Sequence, residues 1–166
     1  MNTVFTELIN ELKNHEISVQ DFLARIKDRD DNVSLLLDEI QLQTSLNDYS
    51  LLTKLIWAVS FIPSTKFTAA LCFLLENRQD SRYMEAIVDA LHDIKDESSV
   101  PCLRKVLDHY EIGDDDFHFN RKVLLALERI GTVEAFSAIR TALANENELI
   151  RETAEEIIQR KTPTTG

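Results

Sequence analysis

Residues 119–144 read FNRKVLLALERIGTVEAFSAIRTALA, and this stretch decides the fold. Apolar residues recur at steps of three and four on either side of Gly131-Thr132, so each half is an amphipathic helix and the pair between them is a break. Glycine suits the left-handed residue just past a helix end, and Thr132 can cap the helix that follows. The stretch therefore predicts a helical hairpin.

The same hairpin occurs twice upstream. Residues 51–76 read LLTKLIWAVSFIPSTKFTAALCFLLE, and residues 83–108 read YMEAIVDALHDIKDESSVPCLRKVLD. Ala58-Val59, Ala90-Leu91 and Ala126-Leu127 fall in register, followed by Ile62, Ile94 and Ile130. Leu71, Leu103 and Ile139 align further on, as do Leu75, Leu107 and Leu143. The breaks are Pro63-Ser64 in the first copy and Asp96-Glu97-Ser98 in the second, where Ser98 or Ser99 is the expected cap. Pro101 is tolerable because it lies in a helix's first turn. An incomplete fourth copy, IRETAEEIIQRK, starts at Ile150 and places Ala154 and Ile157-Ile158 at first-helix positions. Hairpins whose apolar faces need neighbours above and below follow the logic of a solenoid.

This pattern resembles HEAT-like repeats, in particular the short type with an alanine-leucine pair, an isoleucine and often a glycine. ALERIG at residues 126–131 is the best match, with ALHDIK at 90–95 and AVSFIP at 58–63 looser. The resemblance covers about residues 51–161 and implies an all-α, right-handed α-α superhelix of about three hairpins. It carries little information on function.

Residues 1–50 are helical but off-pattern. Val4, Phe5, Leu8, Ile9 and Leu12 form one apolar stripe, Val19, Phe22, Leu23 and Ile26 a second, and Leu35, Leu36, Ile40 and Leu42 a third. Terminal repeats differ because they cap a stack, so this segment is read as an atypical N-terminal helical cap. Residues 162–166 read as a frayed tail, and the whole chain as one domain.

Composition narrows the function classes. A chain of 166 residues with 44% hydrophobic and 28% charged residues is ordinary for a soluble protein with a real core. Glu7 and Glu11 interrupt any secretory core at the N-terminus, and the longest uncharged run, residues 55–65, is far short of the ~20 apolar residues of a membrane helix. A cytoplasmic location without membrane contact is expected. Cys72 and Cys102 lack a CxxC spacing and read as buried thiols of a reducing compartment. The net charge is −11, and residues 1–50 carry 4 basic against 10 acidic side chains. With no basic run to displace counterions, direct nucleic-acid binding is not expected.

The steps between copies locate an insertion. Ala58 to Ala90 is 32 residues and Ala90 to Ala126 is 36, so four or five extra residues lie between Leu107 and Phe119. They fall in YEIGDDDFHF, residues 110–119. Insertions in repeat proteins map to one edge of the stack, often the binding edge. Three readings stand for this loop: a solvated turn, a metal site, or an acidic finger for a partner. The aspartate spacing is wrong for a calcium loop and no zinc frame accompanies it, so no metal or cofactor is expected. The candidate partner-binding residues are Tyr110, Glu111, Asp114, Asp115, Asp116 and Phe117, with Asp28, Asp30 and Asp31 from an N-terminal turn.

No nucleophile motif, phosphate loop or dinucleotide fingerprint stands out, so the chain is not expected to be an enzyme. Some HEAT-like proteins are bilin lyases or metal-dependent hydroxylases, but the paired His-Glu steps of the latter do not occur here. His15 ends a helix, where a cation favours the dipole; Trp57 reads as packing. At positions 72 and 73 the second helix is apolar in the first copy, where later copies have Arg104, Lys105, Arg140 and Thr141, so this face reads as covered by the N-terminal helices or a partner.

By its compact, acidic, single-domain character the chain is similar to bacterial immunity proteins, including those of contact-dependent growth inhibition. That similarity implies a monomer that neutralises one basic partner, a toxin or nuclease domain, through an acidic surface. The other reading is a HEAT-like adaptor or assembly scaffold for cellular proteins.

Overall fold

The computed structural model describes residues 3–77, 81–109 and 117–161. Helices α1 (Thr3–Lys13), α2 (Val19–Ile26) and α3 (Asn32–Leu46) precede the repeats. The hairpins follow as α4 (Tyr49–Ser60) with α5 (Thr68–Glu76), α6 (Ser81–Ile94) with α7 (Val100–His109), and α8 (Phe117–Ile130) with α9 (Val133–Thr141). The last helix is α10 (Glu148–Lys161), and no strand occurs among the described residues.

The helices stack in two layers. One layer runs α2, α4, α6, α8, α10, each against the next; the other runs α3, α5, α7, α9. Each second-layer helix also packs on the first-layer helix that follows it, as α3 does on α4 and α5 on α6. Although its sequence departs from the repeat, α2–α3 thus stands in the same ladder as the hairpins. Helix α1 closes the end against α2 and α4.

The aligned positions meet in the core. Ala58, Ala90 and Ala126 are fully buried, as are Leu71, Leu103 and Ile139. Small alanines let neighbouring first-layer helices approach, and each buried leucine contributes about 1.5–3 kcal/mol relative to exposure. In the incomplete copy, Ile150, Ala154 and Ile157 are buried in α10. Leu143 breaks the register, being 38% exposed, because α9 tightens into a 3-10 turn at Ala142–Ala144 that buries Ala142 in its place. In α3, Leu42 is exposed and Gln43 is buried instead, and Val4 of α1 is exposed as well.

Turn chemistry holds the hairpins. Gly131 has φ +74°, and the Thr132 side chain accepts the Ala135 N–H at 3.2 Å. In the second hairpin the capping role belongs to Asp96 rather than to Ser98 or Ser99. Its carboxylate accepts the Ser98 N–H at 3.1 Å and the Thr68 hydroxyl at 2.7 Å, linking neighbouring hairpins. Further rungs join Lys105 to Glu76, Lys122 to Glu85 and Asp89, and Arg160 to Glu128.

The cysteines are not free thiols. Cys72 of α5 and Cys102 of α7 form a disulfide with their α-carbons 5.7 Å apart. Repeat stacking brings positions 30 residues apart into contact, which residue spacing alone conceals. The cysteines therefore give no argument for a reducing compartment. His15 sits just past α1 at φ +62°, but the cation at that helix end is Lys54, whose Nζ donates to the Leu12 carbonyl at 2.6 Å.

Candidate interaction surface

Asp28, Asp30 and Asp31 lie in the turn between α2 and α3, and all three are exposed. The Arg29 guanidinium lies across Asp31, with Nε and Nη2 each 2.9 Å from a carboxylate oxygen. That pairing raises the already high guanidinium pKa and neutralises one of the three charges. Asn32 fixes the turn by donating to the Lys27 carbonyl at 3.0 Å. Asp28 and Asp30 remain as the exposed acidic pair.

Tyr110, Glu111, Asp114, Asp115 and Asp116 lie outside the described residues, as do the side chain of Phe117 and the tail at 162–166. The helix ends that flank the insertion are His109 and Phe117, where the chain passes from the second layer back to the first. The turn at residues 28–31 makes the opposite passage. Among the described residues, no cluster of three His, Cys, Asp or Glu could hold a metal ion, and no helix is long and apolar enough to cross a membrane.

A third feature lies between α3 and α5. A groove of about 860 Å³ is floored by Tyr49 and Leu52 of α4 and Tyr83 of α6. One wall is Leu37, Ile40, Gln41, Thr44 and Ser45 of α3; the other is Ala69, Ala70, Phe73 and Leu74 of α5. The gap follows from Ala69 and Ala70, whose methyl groups cannot fill the space to α3. Phe73 is 59% exposed and Leu46 at the end of α3 is 61% exposed. The uncovered apolar position of the first repeat is thus this wall, and the N-terminal helices border it without closing it.

Tyr83 is 2% exposed, its ring meeting Tyr49 edge-on at 5.9 Å. Burial pushes its phenol pKa up, so it stays protonated. Its hydroxyl is buried without a hydrogen-bond partner among the described residues. The contrast with the next gap is chemical. A smaller groove between α7 and α9 is lined by Arg104, Lys105, Asp108 and Glu134, whereas among the described residues Lys66 is the single charged side chain lining the α3–α5 groove. Trp57 is a further departure from pure packing. It is 40% exposed and stacks edge-on with the exposed Phe61 at 5.3 Å.

A family model described as HEAT repeats matches residues 68–159, more than half of the chain. The chain belongs to the HEAT-repeat family. The match begins at the first residue of α5 and ends within α10. The α3–α5 groove therefore straddles the start of the matched HEAT segment, with one wall drawn from residues before it. No curated protein matches the chain. HEAT stacks serve as scaffolds for protein interaction because stacked hairpins expose long, continuous faces and loop edges.

Proposed function

We propose that this HEAT protein is a non-catalytic docking scaffold for another protein. The observation that carries the reading is the open second-layer face, where Phe73 and Tyr49 stay exposed around an apolar groove on a HEAT stack. Uncovered aromatic and aliphatic side chains clustered at one place are what a protein partner buries. A narrower reading adds that the partner is basic and that the chain neutralises it, as an immunity protein does a toxic nuclease. Its support is charge: −11 over the chain, with Asp28 and Asp30 exposed at one edge and Asp114, Asp115 and Asp116 in the insertion.

The test is affinity capture from the native host, followed by titration calorimetry and stopped-flow association against the captured protein. A scaffold of the narrower kind binds one basic protein, with an association rate that falls steeply as salt rises. Replacing Asp114, Asp115 and Asp116 by Ala, or Asp28 and Asp30 by Asn, slows that association. Several partners with weak salt dependence select the adaptor and discard the neutralising role. Retention of a chromophore or a turnover activity by the purified chain would overturn the non-catalytic reading altogether.

A further inference from the structure

The α3–α5 groove has walls, a floor and one charge, and these restrict what fits it. Its walls are helical, and the strip from Lys66, just before α5, to Asn77, just past it, extends roughly 16 Å at the helical rise, or about three turns. Ala69 and Ala70 let a backbone approach closely on one side, while the half-buried Leu37 offers a side-chain ridge on the other. That is the form of a site for a helix laid between two helices, read through apolar residues at i, i+3, i+4 and i+7.

Two features argue for a protein helix over a small amphiphile. A small ligand is mostly enclosed by its pocket, yet here Phe73 and Tyr49, which line the groove, stand 59% and 48% exposed. An occupant that covers them must extend beyond the groove. The sign of the charge is the second restriction. Among the described residues, Lys66 makes no ion pair and no carboxylate lines the groove.

We propose that this groove receives an amphipathic helix of a partner protein, its apolar stripe seated between α3 and α5 and an acidic residue paired with Lys66. The proposal rests on the docking-scaffold reading and assigns it a surface, distinct from the acidic edges.

The test uses two fluorescein-labelled helical peptides with the same leucine stripe, one with glutamates and one with lysines on the polar face, and dodecanoate as a small amphiphile. Fluorescence anisotropy with the full chain is expected to show the glutamate peptide binding about fivefold or more tighter than the lysine peptide. Lys66→Glu is expected to invert that order. Ala69→Trp, at an exposed position that fills the groove, abolishes binding of both peptides. Phe73→Ser, also exposed, weakens it about tenfold. Equal binding of both peptides to the wild type and Ala69→Trp overturns the groove as the site. Dodecanoate binding that Ala69→Trp blocks, with neither peptide bound, overturns the helix in favour of an amphiphile. A native partner captured equally well by the Ala69→Trp chain overturns the groove alone and leaves the scaffold reading standing.

Discussion

Four helix ends among the described residues use the left-handed backbone region, at His15, Asn47, Lys95 and Gly131, and the residues there differ in fitness. Gly131 is unstrained at φ +74°, Asn47 is tolerable at +55°, and Lys95 at +58° carries a side chain that disfavours it. Lys95 ends α6 by donating its N–H to the Leu91 carbonyl at 3.0 Å, so the geometry is kept despite the residue. Lys95→Gly is expected to stabilise the protein by about 1 kcal/mol in urea denaturation. Gly131→Ala is expected to lose about the same. A Cβ there meets only the Glu128 carbonyl at 3.6 Å, an ordinary contact, so the loss comes from φ alone. Asp96 acts through charge. Burial raises its carboxyl pKa, but the hydrogen bonds from Thr68 and Ser98 outweigh burial and leave it below the ordinary value. A depressed folded pKa contributes stability above the unfolded value, and that contribution is lost as pH falls through the folded one. Asp96→Ala is therefore expected to cost about 1–2 kcal/mol at neutral pH. The difference from wild type should shrink on acidification to about pH 3, by paired urea titrations.

Between elements, the covalent rung of the stack is the bond from α5 to α7. Closing a loop with a sequence separation of 30 restricts the unfolded chain, so reduction, or the paired change of Cys72 and Cys102 to Ser, is expected to cost about 3–4 kcal/mol. Equal urea midpoints with and without reductant would refute this. The disulfide was hidden in the sequence because its partners belong to different hairpins at unequal register positions. The alternation of hairpins was plain, since Ala58, Ala90, Ala126 and their leucine partners repeat the core at fixed spacing. Local periodicity also misleads: Leu42 and Leu143 fit an apolar stripe, yet Gln43 and Ala142 are the buried residues there, a 3-10 turn setting the rotation at Ala142. The groove was half legible. Phe73 stood out as apolar where later copies are polar, but its depth depends on Ala69, Ala70 and α3, whose meeting no repeat pattern encodes.

At the scale of the molecule, charge and stacking oppose each other. A net −11 spread over 166 residues repels itself, while inter-hairpin pairs such as Lys122 with Glu85 and Asp89 draw the layers together. Burial opposes the charged form of Lys122, but the two carboxylates prevail and hold its pKa above the ordinary lysine value. Because these pairs are few against the excess of carboxylates, the melting temperature is expected to rise with salt from about 10 mM to about 150 mM as repulsion is screened. A fall over that range would mean that the ion pairs dominate.

The disulfide also makes the stack a spring of unequal stiffness. Drawn out from its two termini, the chain parts between helices joined only by non-covalent contact, as α3 and α5 are. The segment between Cys72 and Cys102 cannot lengthen at all while the sulfur bridge holds. It conceals about 100 Å of contour from the pulling force, a length that only a reductant releases.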